Sequence, residues 1–436
     1  MRLAIVVVAA PLVMLFWFPW RWPVATLAAF MVVPLVCFLA LRRGVSLVPS
    51  RSFTRPLLLL LLSTCLATIP IVDWRLGLPK VLGMVLGVFV FLVLGHILGS
   101  RRALAQGVLP WSVFTILFAV AGVMVMTPGG GKLPVLDVAS ERVTAVVALT
   151  PWRLPRNVVN PNELAGVLVL LFPVLLGQSV GAARAARSRD LARFPSLLQA
   201  VFAGAAGIVI LAALALSQSR SGLAGGAASA VVLGAVLLVR LLRSHRAPLG
   251  VRAAVLLCYC LLLVMASWGI SQLLIEWTGA MALRTERSFL ETRFELWNRA
   301  LYILQDFPIT GIGLGQFPVA TQSLYPVFTI PPSEPPAHPH NVFLAYSAEL
   351  GIPGLAAMVW LFTAVFRGCA QALRDPDPLL SWTAIGVALG LFGFLTYGLA
   401  DAIGPGARGG LFLWITLGFG AAVGLATRSD RSPTAT

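Results

Sequence analysis

The chain has four histidines, and two of them stand one residue apart in His338-Pro-His340-Asn341, where a Gly/Pro-rich stretch runs into an apolar one. Imidazole titrates near neutral pH and can take the proton of a hydroxyl as it attacks, so this doublet is the leading candidate for general-base work. A metal site needs three or more ligands, and no Asp, Glu or Cys cluster accompanies the pair in the sequence, so none is expected here. Asn341 also suits the cap of a following helix.

Arginine supplies the second kind of chemistry. Ser217-Gln-Ser-Arg220-Ser-Gly222 is a polar turn between two apolar runs. Such a turn needs Ser and Gly but not Arg, whose planar fork donates paired hydrogen bonds to phosphate. Arg293 lies four residues before Trp297, hence on the same helical face, a pairing suited to phosphate plus sugar. Glu141-Arg142 offers a further cation. Asn160-Pro-Asn162-Glu163 opens an apolar run. Capping with Pro at the first helical position accounts for Asn160 and leaves Asn162 and Glu163 to support or form a site.

The elements that must position these groups are membrane spans. Of 436 residues, 58% are hydrophobic and only 11% charged. Soluble domains carry about 25% charge. That excludes a cytosolic enzyme, and the apolar content excludes disorder. The apolar runs are continuous rather than alternating, which excludes a porin-type barrel. About 250 apolar residues make about twelve spans at roughly 20 each. The expected spans are 3–20, 23–41, 56–72, 81–99, 110–127, 161–183, 197–216, 222–240, 253–275, 341–366, 379–400 and 409–427. The first of them is expected to be retained, since it lacks a cleavage signal. The whole chain, 1–436, reads as a single transmembrane domain with one large loop, 276–340, between spans 9 and 10.

The formal net charge of +16 would suggest nucleic acid in a soluble protein; here it is the positive-inside bias and attraction to anionic lipid. With the N-terminus in the cytoplasm, every cytoplasmic loop is Arg-rich and nearly acid-free. The candidate residues then share the opposite, outer face. Loop 276–340 contains a helical stretch, Arg284 to Leu304, with i,i+4 pairs Arg287–Glu291 and Glu295–Arg299, and is expected to cap the outer mouth of the bundle.

Other features are decoys. Gly311-Ile-Gly313-Leu-Gly315 lacks the strand and spacing of a dinucleotide fingerprint, and Pro128-Gly-Gly-Gly-Lys132 lacks parts of a phosphate loop. The five cysteines lie in or next to apolar runs, without metal or redox spacing, as small core residues. Trp17, Trp20 and Trp22 are interfacial anchors.

His340-Asn341, nine residues, then Gly351-Ile-Pro-Gly354, together with Asp306-Phe-Pro308-Ile-Thr-Gly311-Ile-Gly313-Leu-Gly315, Arg220 in its turn and Asn160-Pro-Asn162-Glu163, resemble the O-antigen ligase and polymerase superfamily of bacterial inner membranes. The motifs cover roughly 155–400. The resemblance is best to the ligases. It implies a metal-independent, GT-C-like membrane glycosyltransferase needing no cofactor. Such an enzyme moves a polysaccharide from undecaprenyl diphosphate to lipid A-core in the Gram-negative inner membrane, with its site facing the periplasm. The family's essential histidine carries over to His340, with His338 its near neighbour. Its arginines carry over to Arg220 and Arg293. The chemistry agrees: arginines offset the diphosphate charge that grows as the anomeric bond breaks, and direct displacement inverts the anomeric centre. Alternatives are a polymerase, which uses a second lipid-linked glycan as acceptor, a protein oligosaccharyltransferase, which usually carries an added outer domain, and a lipid-linked glycan transporter, against which the missing repeat and the outer position of the polar groups count.

Overall fold

A computed structural model describes residues 51–126, 159–188, 193–242, 250–257 and 289–429, with a few isolated positions besides. Expected spans 3–20 and 23–41, the greater part of 253–275, Arg284, Arg287, Lys132 and the N-terminal tryptophans lie outside the described residues. Within them the chain is helical: α1 (Arg51–Leu66), α2 (Trp74–Ile97), α3 (Arg101–Val125), α4 (Pro161–Ser188), α5 (Arg193–Leu216), α6 (Arg220–Leu242), α7 (Phe289–Asp306), α8 (Phe317–Ser323), α9 (Val342–Ala372), α10 (Pro378–Tyr397) and α11 (Gly410–Ser429). Eight of these are long and apolar enough to cross a membrane, α1, α7 and α8 being the exceptions. The protein is an all-α polytopic membrane protein, as its composition requires.

Several boundaries differ from expectation: α3 begins at Arg101 rather than 110, and α9 runs to Ala372 rather than 366. Helix α1 stops at Leu66 rather than running to residue 72. Helix α2 begins at Trp74, seven residues before the expected 81. Asp73 caps it by accepting from the Arg75 N–H at 2.8 Å. The helix then continues through Lys80 because that charge has a partner in Glu349.

Helices α4, α10 and α11 form the centre. In the apolar stretch of α11, 94% of residues are buried, against 17% in α6. Helix α10 packs on α4 and α6, α11 on α2 and α9, and α9 on α1. Small residues allow the close approach expected of membrane helices: a Cβ at Gly386 would lie 2.4 Å from the Pro173 carbonyl, and one at Gly177 2.2 Å from that of Trp382. The helix ends away from His340 carry ordinary anchors. Arg101 pairs with Asp375 at 2.9 Å. Arg184 and Arg240 lie on the Trp382 ring, 4.8 and 4.9 Å from its centroid.

At the other end, residues 289–341 fold over the bundle. Helix α7 buries Leu296, Ala300 and Ile303 against Ile312, Phe317 and Ala348. The Gly-rich run 311–315 is a backbone device. Gly311, Gly313 and Gly315 all have positive φ, as does Gly351, which breaks the helical path inside α9. The two breaks interlock: the Ile312 N–H donates to the Ala348 carbonyl at 2.9 Å and the Ile352 N–H to that of Pro308 at 2.8 Å. Gln316 then accepts from the Val72 and Asp73 N–H groups and donates to the Asp73 carbonyl, tying the cap to the start of α2.

A Cβ at Gly351 would sit 2.4 Å from the Ile309 carbonyl oxygen, at φ +70°. Gly351→Ala is therefore expected to destabilise the protein by roughly 2–4 kcal/mol, through the clash and the left-handed backbone together. Gly250, with nothing within 4 Å of such a Cβ, should tolerate alanine. Thermal unfolding of both variants in detergent checks this, and equal midpoints would refute it.

Candidate functional site

The His-Asn motif sits where α9 begins. Asn341 is its N-cap, accepting from the Phe343 and Leu344 N–H groups at 3.0 and 3.1 Å. Its amide also donates to the Leu399 carbonyl at 3.1 Å, while the Val342 N–H donates to that of Gly398 at 2.7 Å. Both bonds pin the loop after α10 against the motif. That loop carries Asp401, whose side chain is 3% exposed. His340 Nδ1 and Asp401 Oδ1 are 2.9 Å apart. His340 has a φ of +52°, a left-handed conformation uncommon for a side-chain-bearing residue and frequent at functional sites.

In the neutral dyad, Nδ1–H donates to the carboxylate, which leaves Nε2 as the acceptor. The His340 side chain is 28% exposed, so the ring can meet a substrate. His338 lies against it, with ring centroids 4.5 Å apart, and its Nδ1 accepts from the His340 backbone N–H at 3.2 Å. Burial, then the charges of Lys80 and Arg293, push the His338 pKa down to about 3, so it is neutral at physiological pH.

Two cations flank the dyad. Arg293, 6% exposed, points from α7 and lies 3.8 Å from Asp401 Oδ2. Burial lowers its pKa, partly offset by Asp401 and Tyr397, yet a guanidinium stays charged. Lys80 reaches in from α2 and is held at 2.8 Å by Glu349, a fully buried carboxylate of α9. Three donors in the surrounding segments are buried with no hydrogen-bond partner among the described residues: Trp297 Nε1, the Tyr397 hydroxyl and Arg408 Nη1. A buried unpaired donor is costly, and an oxygen-rich ligand would relieve it.

The remaining candidates other than Arg142 stand at helix starts or on α7, at the same end. Asn160 caps α4 by accepting from the Asn162 N–H at 2.8 Å, and no other described residue holds the Asn162 side chain. Glu163 accepts from the Gly409 N–H at 3.1 Å, so it fixes the far end of the Asp401 loop. Arg220 opens α6, whose Ser219 caps it through Gly222 at 3.2 Å. A Cβ at Gly222 would touch Ala165, and one at Gly225 the Tyr397 side chain, so that turn faces the starts of α4 and the loop after α10. Trp297 is half-buried beside Phe294, at 5.5 Å. The Glu295–Arg299 pair forms at 3.2 Å, and Glu295 holds the Phe328 and Thr329 N–H groups. Arg142 is exposed and makes no ion pair with another described residue.

One sequence expectation is corrected. A carboxylate does accompany the histidine doublet: the ligand atoms of His338, His340 and Asp401 lie within 4.8 Å of one another, close enough to hold a metal ion. Asp401, Lys80 and Glu349 were all passed over in the sequence. Their signal was there, since each is an ionisable group at or inside the end of an apolar span.

Residues 205–359 match the family model described as O-Antigen ligase. The match contains Arg220, Arg293, both site histidines and Glu349, and bears out the resemblance read from the motifs. Members of that family are glycosyltransferase-like enzymes of O-antigen processing. Lys80 and Asp401 lie outside the matched segment. No curated protein matches the chain.

Lys80→Met strands a buried carboxylate and is expected to destabilise the protein by roughly 3–5 kcal/mol, much of it recovered in Lys80→Met/Glu349→Leu. Chemical denaturation of the two variants checks this; a double variant no better than the single would count against it. For His338, the folded pKa is about 3 against 6.5 for the free side chain. As pH falls below about 6.5 the unfolded chain gains a proton that the folded one refuses, so stability drops towards about pH 3 and is complete above 6.5. Melting temperature against pH should be flatter for His338→Gln than for wild type across that window; parallel curves would refute the assignment.

Proposed function

We propose that the protein is an O-antigen ligase: it transfers a polysaccharide from undecaprenyl diphosphate to a hydroxyl of lipid A-core, at the periplasmic face of a Gram-negative inner membrane, in a GT-C-like, single transmembrane glycosyltransferase domain. The observation that carries this is the His340–Asp401 dyad flanked by Arg293 and Lys80 within the folded end of the bundle. The family match and the Arg-rich opposite face support it. Loop 276–340 is then the large periplasmic loop between spans 9 and 10.

In this reading Asp401 holds the His340 tautomer that leaves Nε2 free. The acceptor oxygen attacks the anomeric carbon as its proton passes to Nε2. The bond from that carbon to the diphosphate breaks, and undecaprenyl diphosphate leaves. The guanidinium of Arg293, with Arg220 and Lys80, offsets the charge growing on the leaving group, a role a divalent ion fills elsewhere. Trp297 offers a surface for the sugar. Asn160, Asn162, Glu163 and Asn341 support the site by fixing the loop and helix ends. Arg142 stands apart as a further cation for an extended anionic donor. Direct attack inverts the anomeric centre, and no cofactor takes part. Both substrates are lipids, reached through the membrane.

Reconstitution with purified undecaprenyl-diphosphate glycan and lipid A-core tests the proposal. Glycolipid product is expected in the presence of EDTA, with inverted configuration. His340→Ala and Asp401→Asn should each lower the rate by about a hundredfold or more, the scale of general-base assistance, with the folded fraction unchanged. Retained configuration would overturn direct displacement. Activity abolished by EDTA and restored by zinc would instead make the His338–His340–Asp401 group a metal site. Chain growth on the carrier lipid alone would make the protein a polymerase, and glycan counterflow without covalent product a transporter.

A further inference from the structure

The end of the bundle away from His340 holds a cavity of about 260 Å³ between α1, α9 and α11. Arg51 and Arg55 come to it from α1, Arg367 and Gln371 from α9; Phe53 and Trp360 supply apolar wall. No acid lines it. The acids nearest in sequence, Asp375 and Asp377, lie 2.9 and 3.8 Å from Arg101. Elsewhere at this end several cations are engaged: Arg101 with those carboxylates, Arg184 and Arg240 on Trp382. Arg51, Arg55 and Arg367 are exposed and make no ion pair with another described residue. Three like charges gathered around one cavity repel each other, and an anion between them would reverse that sign.

The surface leading to the cavity identifies the kind of anion. On α1, Arg51, Arg55, Leu58 and Leu62 form one exposed stripe, with the two leucines 61% and 56% exposed. On α9 the exposed stripe runs Ile352, Ala356, Val359, Trp360 and Arg367. Helices α1 and α9 pack on each other, so two apolar stripes at helical spacing converge on the same arginines. In a bilayer, apolar side chains exposed in this way face acyl chains. Free phosphate would use only the cations; a lipid would use cations and stripes together. A basic pocket between spans, continuous with a lipid-facing groove, matches anionic headgroup recognition.

We propose that this cavity is a binding site for an anionic phospholipid of the leaflet opposite the candidate active site. The headgroup phosphate sits between Arg51, Arg55 and Arg367, and an acyl chain lies along the stripes of α1 and α9. Trp360 closes the rim at headgroup level.

The test uses full-length protein extracted from nanodiscs of equal phosphatidylglycerol and phosphatidylcholine, with retained lipid counted by native mass spectrometry. Wild type should retain phosphatidylglycerol over phosphatidylcholine of the same chains. The triple variant Arg51→Gln/Arg55→Gln/Arg367→Gln should lose that preference by about tenfold or more, as expected for removing several surface cations. Arg374→Gln, an exposed arginine on the same face outside the cavity, should retain it. Ala364→Leu keeps every charge but fills the cavity it lines, and should lose the lipid too; it carries the test should the triple variant fail to fold. Unchanged retention in either cavity variant would overturn the site. Equal loss in Arg374→Gln would reduce it to diffuse charge attraction. Displacement of the retained lipid by millimolar inorganic phosphate would make it a phosphate site rather than a lipid site.

Discussion

Apolar spans have few ways to present charge, because a bare ion inside the bundle is unaffordable unless another group meets it. The loop between α10 and α11 is where this constraint is resolved. It is held at its start by Asn341 and Val342, and at its end by Glu163. In between, Gly406 passes so close to α2 that a Cβ would fall 1.9 Å from the Lys80 carbonyl. A loop tied at so many points can carry a buried carboxylate without collapsing. Asp401 therefore sits at a defined place, and His340, Arg293 and the neighbouring cations are arranged around it.

The Gly motifs belong to the same arrangement. Gly311 and Gly351 are forty residues apart, yet they form a single contact, since each has the left-handed backbone that lets it approach the other's chain. The kink at Gly351 separates a short first segment of α9, bearing Glu349, from its longer apolar section. What resembles a nucleotide loop is a backbone clasp that seats the cap on α1 and α2. Asn341 serves both as helix cap and as loop anchor. The cap and the anchor together hold His340 and Asp401 within hydrogen-bond distance.

The bundle is polarised in its chemistry as well as its charge. At one end, cations are buried, paired and arranged around a carboxylate. At the other they snorkel, stack on Trp382, pair with Asp375 or gather round a cavity open to lipid. The same residue type does different work because burial differs: Arg293 is 6% exposed, whereas Arg51 and Arg367 face outward.

Much of this was legible in the chain. Apolar run length sets the membrane class, since a span needs only local composition to be recognised. The histidine doublet, Arg220 and Arg293 stand out because polar groups beside such runs are scarce. Asn160 and Asn341 announce helix starts, because capping is a contact over two or three residues. Partners were not legible. Asp401 lies 61 residues from His340, and Glu349 lies 269 from Lys80. A carboxylate's choice of partner depends on which helix ends packing brings together, and no local pattern encodes that. The early start of α2 follows from the same cause: Lys80 reads as a loop residue until Glu349 is beside it. Sequence alone determined that the chain is a membrane bundle and that the histidine doublet and a few arginines could do chemistry at one end of it. Tertiary structure decided which of them meet, because electrostatic pairing acts through space and the apolar spans determine where that space is.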